Sequence, residues 1–82
     1  MNQFINIGFG NIINTDKVVA ILSPESAPSK RLVARAKETQ TIIDATQGRR
    51  TKSLLITDSG QVVLSALTAE TLYGRTKNSV ED

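Results

Sequence analysis

The chain has 82 residues, a length that fits a single domain, and its formal net charge at neutral pH is only +2. It contains neither Cys nor His, which excludes disulfides and the usual ligands of zinc, haem and iron–sulfur clusters, so we expect no cofactor and no metal. A chain of this size buries only about 60% of the surface that its unfolded form exposes, and self-association is therefore expected to add stability.

Nothing in the sequence predicts a membrane segment or a secretory signal. The longest apolar run, Val18–Leu22, is far shorter than the roughly 20 residues that span a bilayer. The first residues lack a basic region followed by an apolar stretch. We therefore expect a soluble intracellular protein without membrane contact.

The first third of the chain is predicted to form short strands. Residues 4–7 alternate between apolar and polar side chains, residues 8–11 supply turn chemistry, and residues 12–13 begin a second extended run. Residues 14–17 are polar and turn-like. The β-branched run Val18–Leu22 has the length of a strand that is buried on both faces.

A helix is predicted over residues 28–39. Ser26 is a suitable N-cap, and Pro28 fits the first turn because its missing N–H is not needed there. At about 100° per residue, one stripe of this helix should pack inward, and it consists of Leu32, Val33 and Ala36. Cations occupy both flanks, with Arg31 and Arg35 on one side and Lys30 and Lys37 on the other.

The second half of the chain is predicted to contain three strands and a short helix. The strands lie at residues 41–45, 54–57 and 61–65, and a tight turn at residues 58–60 joins the last two. A capped helix begins near Thr68. The predicted fold is α+β, with a small antiparallel or mixed sheet, one main helix and a short C-terminal helix on one side of it. We assign residues 1–76 to the domain and residues 77–82 to a polar tail.

Positive charge is concentrated in the middle of the chain. Residues 30–52 contain seven basic and two acidic side chains, whereas the remaining residues contain three basic and six acidic ones. This separation predicts one electropositive face, which suits a polyanionic partner. A soluble surface with a chance cluster of cations is the alternative.

The segment Gly48-Arg49-Arg50-Thr51-Lys52 carries the strongest functional signal. Gly48 permits a sharp bend, and each of the two guanidinium groups that follow can form bidentate hydrogen bonds with phosphate. Such a loop can hold a DNA backbone or enter a minor groove. A solvated connecting loop or hairpin tip would explain the same residues without a ligand.

Other functional classes are poorly supported. The segment Gly8-Phe9-Gly10-Asn11 lacks the third glycine of a dinucleotide-binding fingerprint, since Ile13 stands there, and it favours a structural turn. Without His or Cys the common general base and thiol nucleophile are missing, so we predict that the protein is not an enzyme and has no small-molecule substrate. The three aromatic residues are few for a single-strand binder, which favours duplex DNA.

Four segments, in order along the chain, resemble the RemA family of small bacterial regulators associated with biofilm matrix genes. They are residues 4–13, residues 23–28 with Lys30 and Arg31, residues 43–46, and residues 48–51. Three positions depart from the family pattern, because Gln47 stands where Tyr is common, Ser29 where an apolar residue is common and Lys17 where Arg is usual.

The resemblance implies a DNA-binding transcriptional regulator, of biofilm matrix genes or equivalent ones, that assembles into a homo-oligomeric ring. By motif match, Arg49 and Arg50 are the main DNA contacts, with Lys17, Arg31 and Lys52 as supporting cations. A ring repeats its basic patch around its rim, so that several weak contacts act together. We expect such a protein in the cytoplasm, associated with the nucleoid. The second hypothesis is an architectural or protein-interaction ring that binds acidic partners instead of DNA.

Overall fold

The computed structural model describes the backbone of residues 3–80 and the side chains of residues 3–77. That part of the chain forms six strands and two α-helices, with a short 3-10 turn at Thr15–Lys17. The elements in chain order are β1 (Phe4–Gly8), β2 (Asn11–Asn14), β3 (Val18–Leu22), α1 (Ala27–Thr39), β4 (Ile42–Asp44), β5 (Ser53–Thr57), β6 (Val62–Ser65) and α2 (Ala69–Val80). The predicted α+β class is confirmed.

The strands form a two-stranded hairpin and a four-stranded mixed sheet. The hairpin pairs β1 with β2, and the larger sheet has the order β3-β5-β6-β4. Its β3, β5 and β6 are antiparallel neighbours, whereas β4 runs parallel to β6. Because β6 lies between β4 and β5, the segment that joins them is a loop across the end of β6, and the hairpin-tip interpretation was wrong.

The two helices cover opposite faces of the larger sheet, so the prediction that they share one side was wrong. Alternate residues of β5 and β6 are apolar on both faces, and each face therefore needs its own cover. One core packs Leu54 and Val62 against Ala36 of α1. The other packs Leu55 against Leu72 of α2 and against the β1–β2 hairpin.

Helix α1 begins as predicted and packs Val33 and Ala36 against the sheet as predicted, whereas the inward placement of Leu32 was wrong. The Ser26 side chain accepts a hydrogen bond from the Ser29 backbone N–H at 3.2 Å, which confirms the N-cap. Its buried residues are Ser29 and Ala36, whereas Leu32 is 38% exposed. Ser29, Val33 and Ala36 share one stripe of the helix, and Leu32 lies to the side of that stripe, which leaves it partly exposed.

Strand β3 is less buried than its apolar sequence predicts, because it forms an edge of the sheet. Val19 in its middle is 66% exposed, so burial on both faces was a wrong prediction. Helix α2 begins after Thr68, whose hydroxyl accepts a hydrogen bond from the Thr71 N–H. The helix extends to Val80 and is therefore longer than predicted. Residues 81–82 of the predicted tail lie outside the described residues. Neither helix of residues 3–80 is long and apolar enough to cross a bilayer.

The strand directions define two ends of the four-stranded sheet. At one end, β5 begins and β6 ends, since Ser53 pairs with Ser65. We call this the basic end, and it gathers residues 8–10, 23–26, 45–52 and 65–67. At the opposite end, Thr57 pairs with Val18, directly after Lys17.

Candidate nucleic-acid interface

The arginine-bearing loop at residues 45–52 is anchored by a short polar turn at its start. One carboxylate oxygen of Asp44 accepts hydrogen bonds from the Thr46 backbone N–H at 2.9 Å and from the Thr46 hydroxyl at 2.6 Å. Thr46 itself is buried, and its carbonyl accepts from the Arg49 N–H at 3.0 Å. Positive φ angles at Gln47 (53°) and Gly48 (79°) complete the bend. The loop therefore holds Arg49 in a defined position.

The same contacts stabilise the charged form of Asp44. The hydrogen bonds from the Thr46 hydroxyl and backbone lower the pKa of Asp44 from its ordinary value, with a smaller contribution from the positive charge of Lys37, although desolvation acts in the opposite direction. Asp44 is consequently an anion that caps the loop at neutral pH. Its carboxylate accepts the hydrogen bonds that hold the start of the loop.

Two buried serines connect the other segments of the basic end. The Ser65 hydroxyl donates to the Ile7 carbonyl at 2.8 Å, and the Ser53 hydroxyl donates to the Leu67 carbonyl at 2.7 Å. Ser65 also accepts from the Leu67 N–H at 3.1 Å, and its own carbonyl accepts from the Lys52 N–H at 2.8 Å. Because both serines are fully buried, these bonds fix the tip of the β1–β2 hairpin against the end of the arginine-bearing loop.

The hairpin tip and the loop enclose a cleft of about 440 Å³ at the basic end. We call it the basic cleft, and its lining residues are Gly8, Phe9, Arg49, Arg50, Lys52, Ala66 and Leu67. The Arg49 guanidinium lies over the Phe9 ring, 5.8 Å from its centroid, in a cation–π contact. Three predicted site residues, Arg49, Arg50 and Lys52, thus share one surface depression.

Arg50 has a carboxylate partner within the chain. Its Nη2 lies 3.2 Å from Oε2 of Glu25, in the segment that leads into α1. The side chains are 79% and 73% exposed, so water screens the pair and either partner is free to bind another ion. Glu25 therefore competes with an incoming phosphate for Arg50 without burying the guanidinium.

Lys17 lies at the opposite end of the sheet from the other predicted site residues. Its Nζ is 4.0 Å from Oδ2 of Asp58, and its carbonyl accepts from the Asp58 N–H at 2.9 Å. The five residues of β5 separate this pair from the basic end, a length of roughly 15 Å. Within one subunit Lys17 is therefore not part of the basic cleft.

Helix α1 carries its cations on two different surfaces. Arg31 lines an outer groove with Leu32 and Arg35, and this groove shares no residue with the basic cleft. Lys30 and Lys37 instead line a second depression with Thr51, beside the start of β5. The structure thus places Lys30 and Lys37, more than Arg31, next to the arginine-bearing loop.

Sequence reasoning missed Phe9, Glu25 and the two buried serines. Phe9 and Glu25 are far from Arg49 and Arg50 in the chain, so that only the strand order brings them together. The serines gave a weak signal, because one begins and the other ends an apolar strand, and a buried hydroxyl needs a hydrogen-bonding partner. In the part of the chain that the structure describes, every buried polar side-chain atom has such a partner.

The chemistry available at the basic cleft is that of an anion-binding surface. It presents two guanidinium groups, one ammonium group and an aromatic ring. Residues with described side chains include no group of three His, Cys, Asp or Glu arranged to hold a metal ion. The basic cleft is suited to hold phosphate oxygens and an apolar surface at the same time.

Comparison with known proteins agrees with the resemblance seen in the sequence. Residues 4–76 match the RemA-like family, described as Extracellular matrix regulatory protein A-like. A relative from Gloeothece citriformis is 58% identical over 73 residues, covering 89% of this chain and 83% of its own length. One from Pseudothermotoga lettingae is 54% identical over 80 residues, covering 98% of this chain and 88% of its own. Both carry the name "Putative regulatory protein". This chain therefore belongs to the RemA-like family.

Proposed function

We propose that the protein is a DNA-binding transcriptional regulator whose basic cleft contacts the backbone of duplex DNA. The observation that carries this proposal is the convergence of Arg49, Arg50 and Lys52 on one open cleft. The family and the names of the relatives support a regulatory role and favour a protein without catalytic activity. The charges support DNA binding, since guanidinium groups on a firmly held loop suit phosphate oxygens.

A single subunit offers few contacts, and we propose that a homo-oligomeric ring supplies the rest. Three cations give weak binding to DNA, whereas linked copies make each later contact effectively intramolecular. An apolar groove of about 560 Å³ between β3 and α2, bordered by Val19 and Tyr73, shares no residue with the basic cleft. Self-association through this groove would leave the cleft open. Head-to-tail packing would also offer a route by which Lys17 of one copy approaches the basic end of another.

Light scattering combined with fluorescence anisotropy tests both parts of this proposal. The full chain is titrated with a labelled duplex, a labelled single strand of the same sequence, and poly-glutamate as a generic acidic polymer. We expect a mass of several subunits and a preference for the duplex. Arg49→Ala should weaken duplex binding, whereas Lys77→Ala, which removes an exposed cation of α2, should not when light scattering shows the same assembled mass as wild type.

The architectural alternative predicts a different pattern. An interaction ring for acidic proteins would bind poly-glutamate at least as well as DNA at equal charge concentration. Absence of duplex binding even at low salt, in a preparation whose mass shows assembly, would contradict the DNA proposal and favour this alternative. A monomeric mass with unchanged DNA binding would contradict the ring alone.

A further inference from the structure

The tip of the β1–β2 hairpin has an unusual backbone for the residue at its centre. Three consecutive residues have positive φ angles, namely Gly8 (116°), Phe9 (55°) and Gly10 (80°). Glycine adopts this region easily, but a bulky aromatic residue is rare there because its Cβ crowds the backbone. Phe9 is nevertheless 45% exposed, so burial in the core does not account for its presence.

Side-chain hydrogen bonds lock this unfavourable tip in place. The Asn6 side chain accepts from the Gly8 N–H at 2.7 Å, and the Asn11 side-chain amide donates to the Gly8 carbonyl at 2.9 Å. Ser65 holds the end of β1 through the Ile7 carbonyl. The hairpin therefore holds the backbone of Phe9 in place beside Arg49. Strained residues that are held in this way are often found at binding sites.

The Phe9 ring forms part of the basic cleft. It contacts the Arg49 guanidinium at 5.8 Å and lines the same depression as Arg50 and Lys52. An exposed aromatic ring among cations can be in contact with the apolar faces of bases or sugars while the cations bind the flanking phosphates. If the cleft bound phosphate alone, the role of the ring would be limited to its contact with Arg49.

We propose that Phe9 is an apolar wedge that enters the minor groove of DNA at a deformable base step. This inference rests on the proposed function and specifies the contact made by the same cleft. Arg49, held against the ring, would follow it into the groove, and Arg50 and Lys52 would remain on the phosphates. Wedges of this kind kink a duplex by about 20–90°, and pyrimidine–purine steps such as TA deform most easily. Phe9 would thus select DNA by its flexibility.

The test uses the full-length protein and a duplex with 2-aminopurine, a fluorescent base, at a central TA step and a dye pair at its ends. Wild-type protein should raise the 2-aminopurine fluorescence and shorten the distance between the dyes, because the wedge unstacks and bends the step. Phe9→Asn removes the ring but suits the left-handed backbone, since Asn is among the residues most often found there. It should abolish both signals and weaken binding about tenfold.

Two further variants separate a wedge from other roles of the ring. Phe9→Leu keeps an apolar side chain and should retain most of the bending. Ile12→Thr removes an exposed apolar side chain from the same hairpin outside the cleft, and it should behave as wild type. For Phe9→Asn the salt dependence of binding should stay unchanged, because its phosphate contacts remain.

The possible results have distinct meanings. Wild-type protein that binds DNA without any 2-aminopurine or bending signal would overturn the wedge and leave the proposed function standing. The same holds if Phe9→Asn keeps both signals and lowers only the salt dependence, since the ring would then act only by positioning Arg49. Wild-type protein that does not bind the duplex at all would overturn both proposals.

Discussion

At the basic end of the sheet, three cationic side chains share one cleft with Glu25 beside it, whereas at the opposite end Lys17 stands next to Asp58. Both ends are exposed and both contain an ion pair. They differ in local net charge, because Lys17 has a neighbouring carboxylate, whereas the cleft holds more cations than Glu25 can neutralise. A polyanion gains most where positive charge is in excess and held in place, so the comparison favours the basic end as the surface for the DNA binding that we propose.

Removing the two arginines should have the largest effect. Arg49→Ala combined with Arg50→Ala deletes two charge-assisted contacts and should lower duplex affinity about 100-fold. Lys17→Ala should cost less, about tenfold at most, because it removes one cation that already has a partner. Fluorescence anisotropy at one fixed salt concentration measures both changes. A greater reduction with Lys17→Ala than with the double variant would reverse our assignment of the two ends.

The buried serine network should matter more for stability than a polar turn at the opposite end. Ser65→Ala removes the donor to the Ile7 carbonyl and the acceptor for the Leu67 N–H, and it should lower the free energy of unfolding by about 1–3 kcal/mol. The matched change at the opposite end, Ser59→Ala on an exposed turn, should cost about 0.5 kcal/mol or less. Urea unfolding compares the two variants. Equal decreases would show that the hydroxyl of Ser65 does not hold the basic end together.

Releasing Arg50 from its carboxylate partner should strengthen DNA binding slightly. Glu25→Gln removes the competing charge, and we expect duplex affinity to rise about twofold to fivefold. Glu70→Gln makes the same change in net charge on α2 and controls for the overall electrostatic effect. A gain that is the same in both variants would mean that the 3.2 Å contact between Glu25 and Arg50 is irrelevant to binding.

Acid should weaken the anchor of the loop. Because hydrogen bonds from Thr46 lower the pKa of Asp44 in the folded protein, its contribution to stability is present above the ordinary carboxyl pKa of about 4 and is lost as the pH falls through the lowered value. Asp44→Asn should therefore lose less stability than wild type as the pH falls below about 4. Thermal unfolding across this range measures the small difference. Identical pH profiles would show that the carboxylate does not stabilise the loop.

Much of the fold could be predicted because its signals are local. Ser26 and Pro28 mark the start of α1, the β-branched run marks β3, and the turn before β6 follows from Gly60. The strand order could not be predicted, because the parallel pairing of β4 with β6 depends on which faces can be covered. That pairing sets the course of the arginine-bearing loop, whereas the helices lie on opposite faces because β5 and β6 are apolar on both.

The site was predictable only in part, because some of its residues are adjacent in the chain and others are brought together by the strand order. The adjacent Arg49 and Arg50 stand out in the sequence, but their neighbours come from distant segments. Phe9 reaches Arg49 only because Ser65 joins β1 to the end of β6, and Glu25 reaches Arg50 only because β3 ends beside the start of β5. The family resemblance named Lys17 as a supporting cation, but a resemblance does not show where a residue lies in the folded subunit. The structure places Lys17 at the end of the sheet opposite Arg49 and Arg50.

The salt dependence of duplex binding tests the central claim most directly. If Arg49 neutralises a phosphate or lies in the groove among phosphates, a plot of log affinity against log salt concentration should become shallower in Arg49→Ala. The slope should change by about 0.9 for each phosphate that the variant no longer neutralises. Lys77→Ala should leave the slope unchanged. A slope that is the same for wild type and Arg49→Ala, with both proteins assembled, would show that the basic cleft is not where this protein meets DNA.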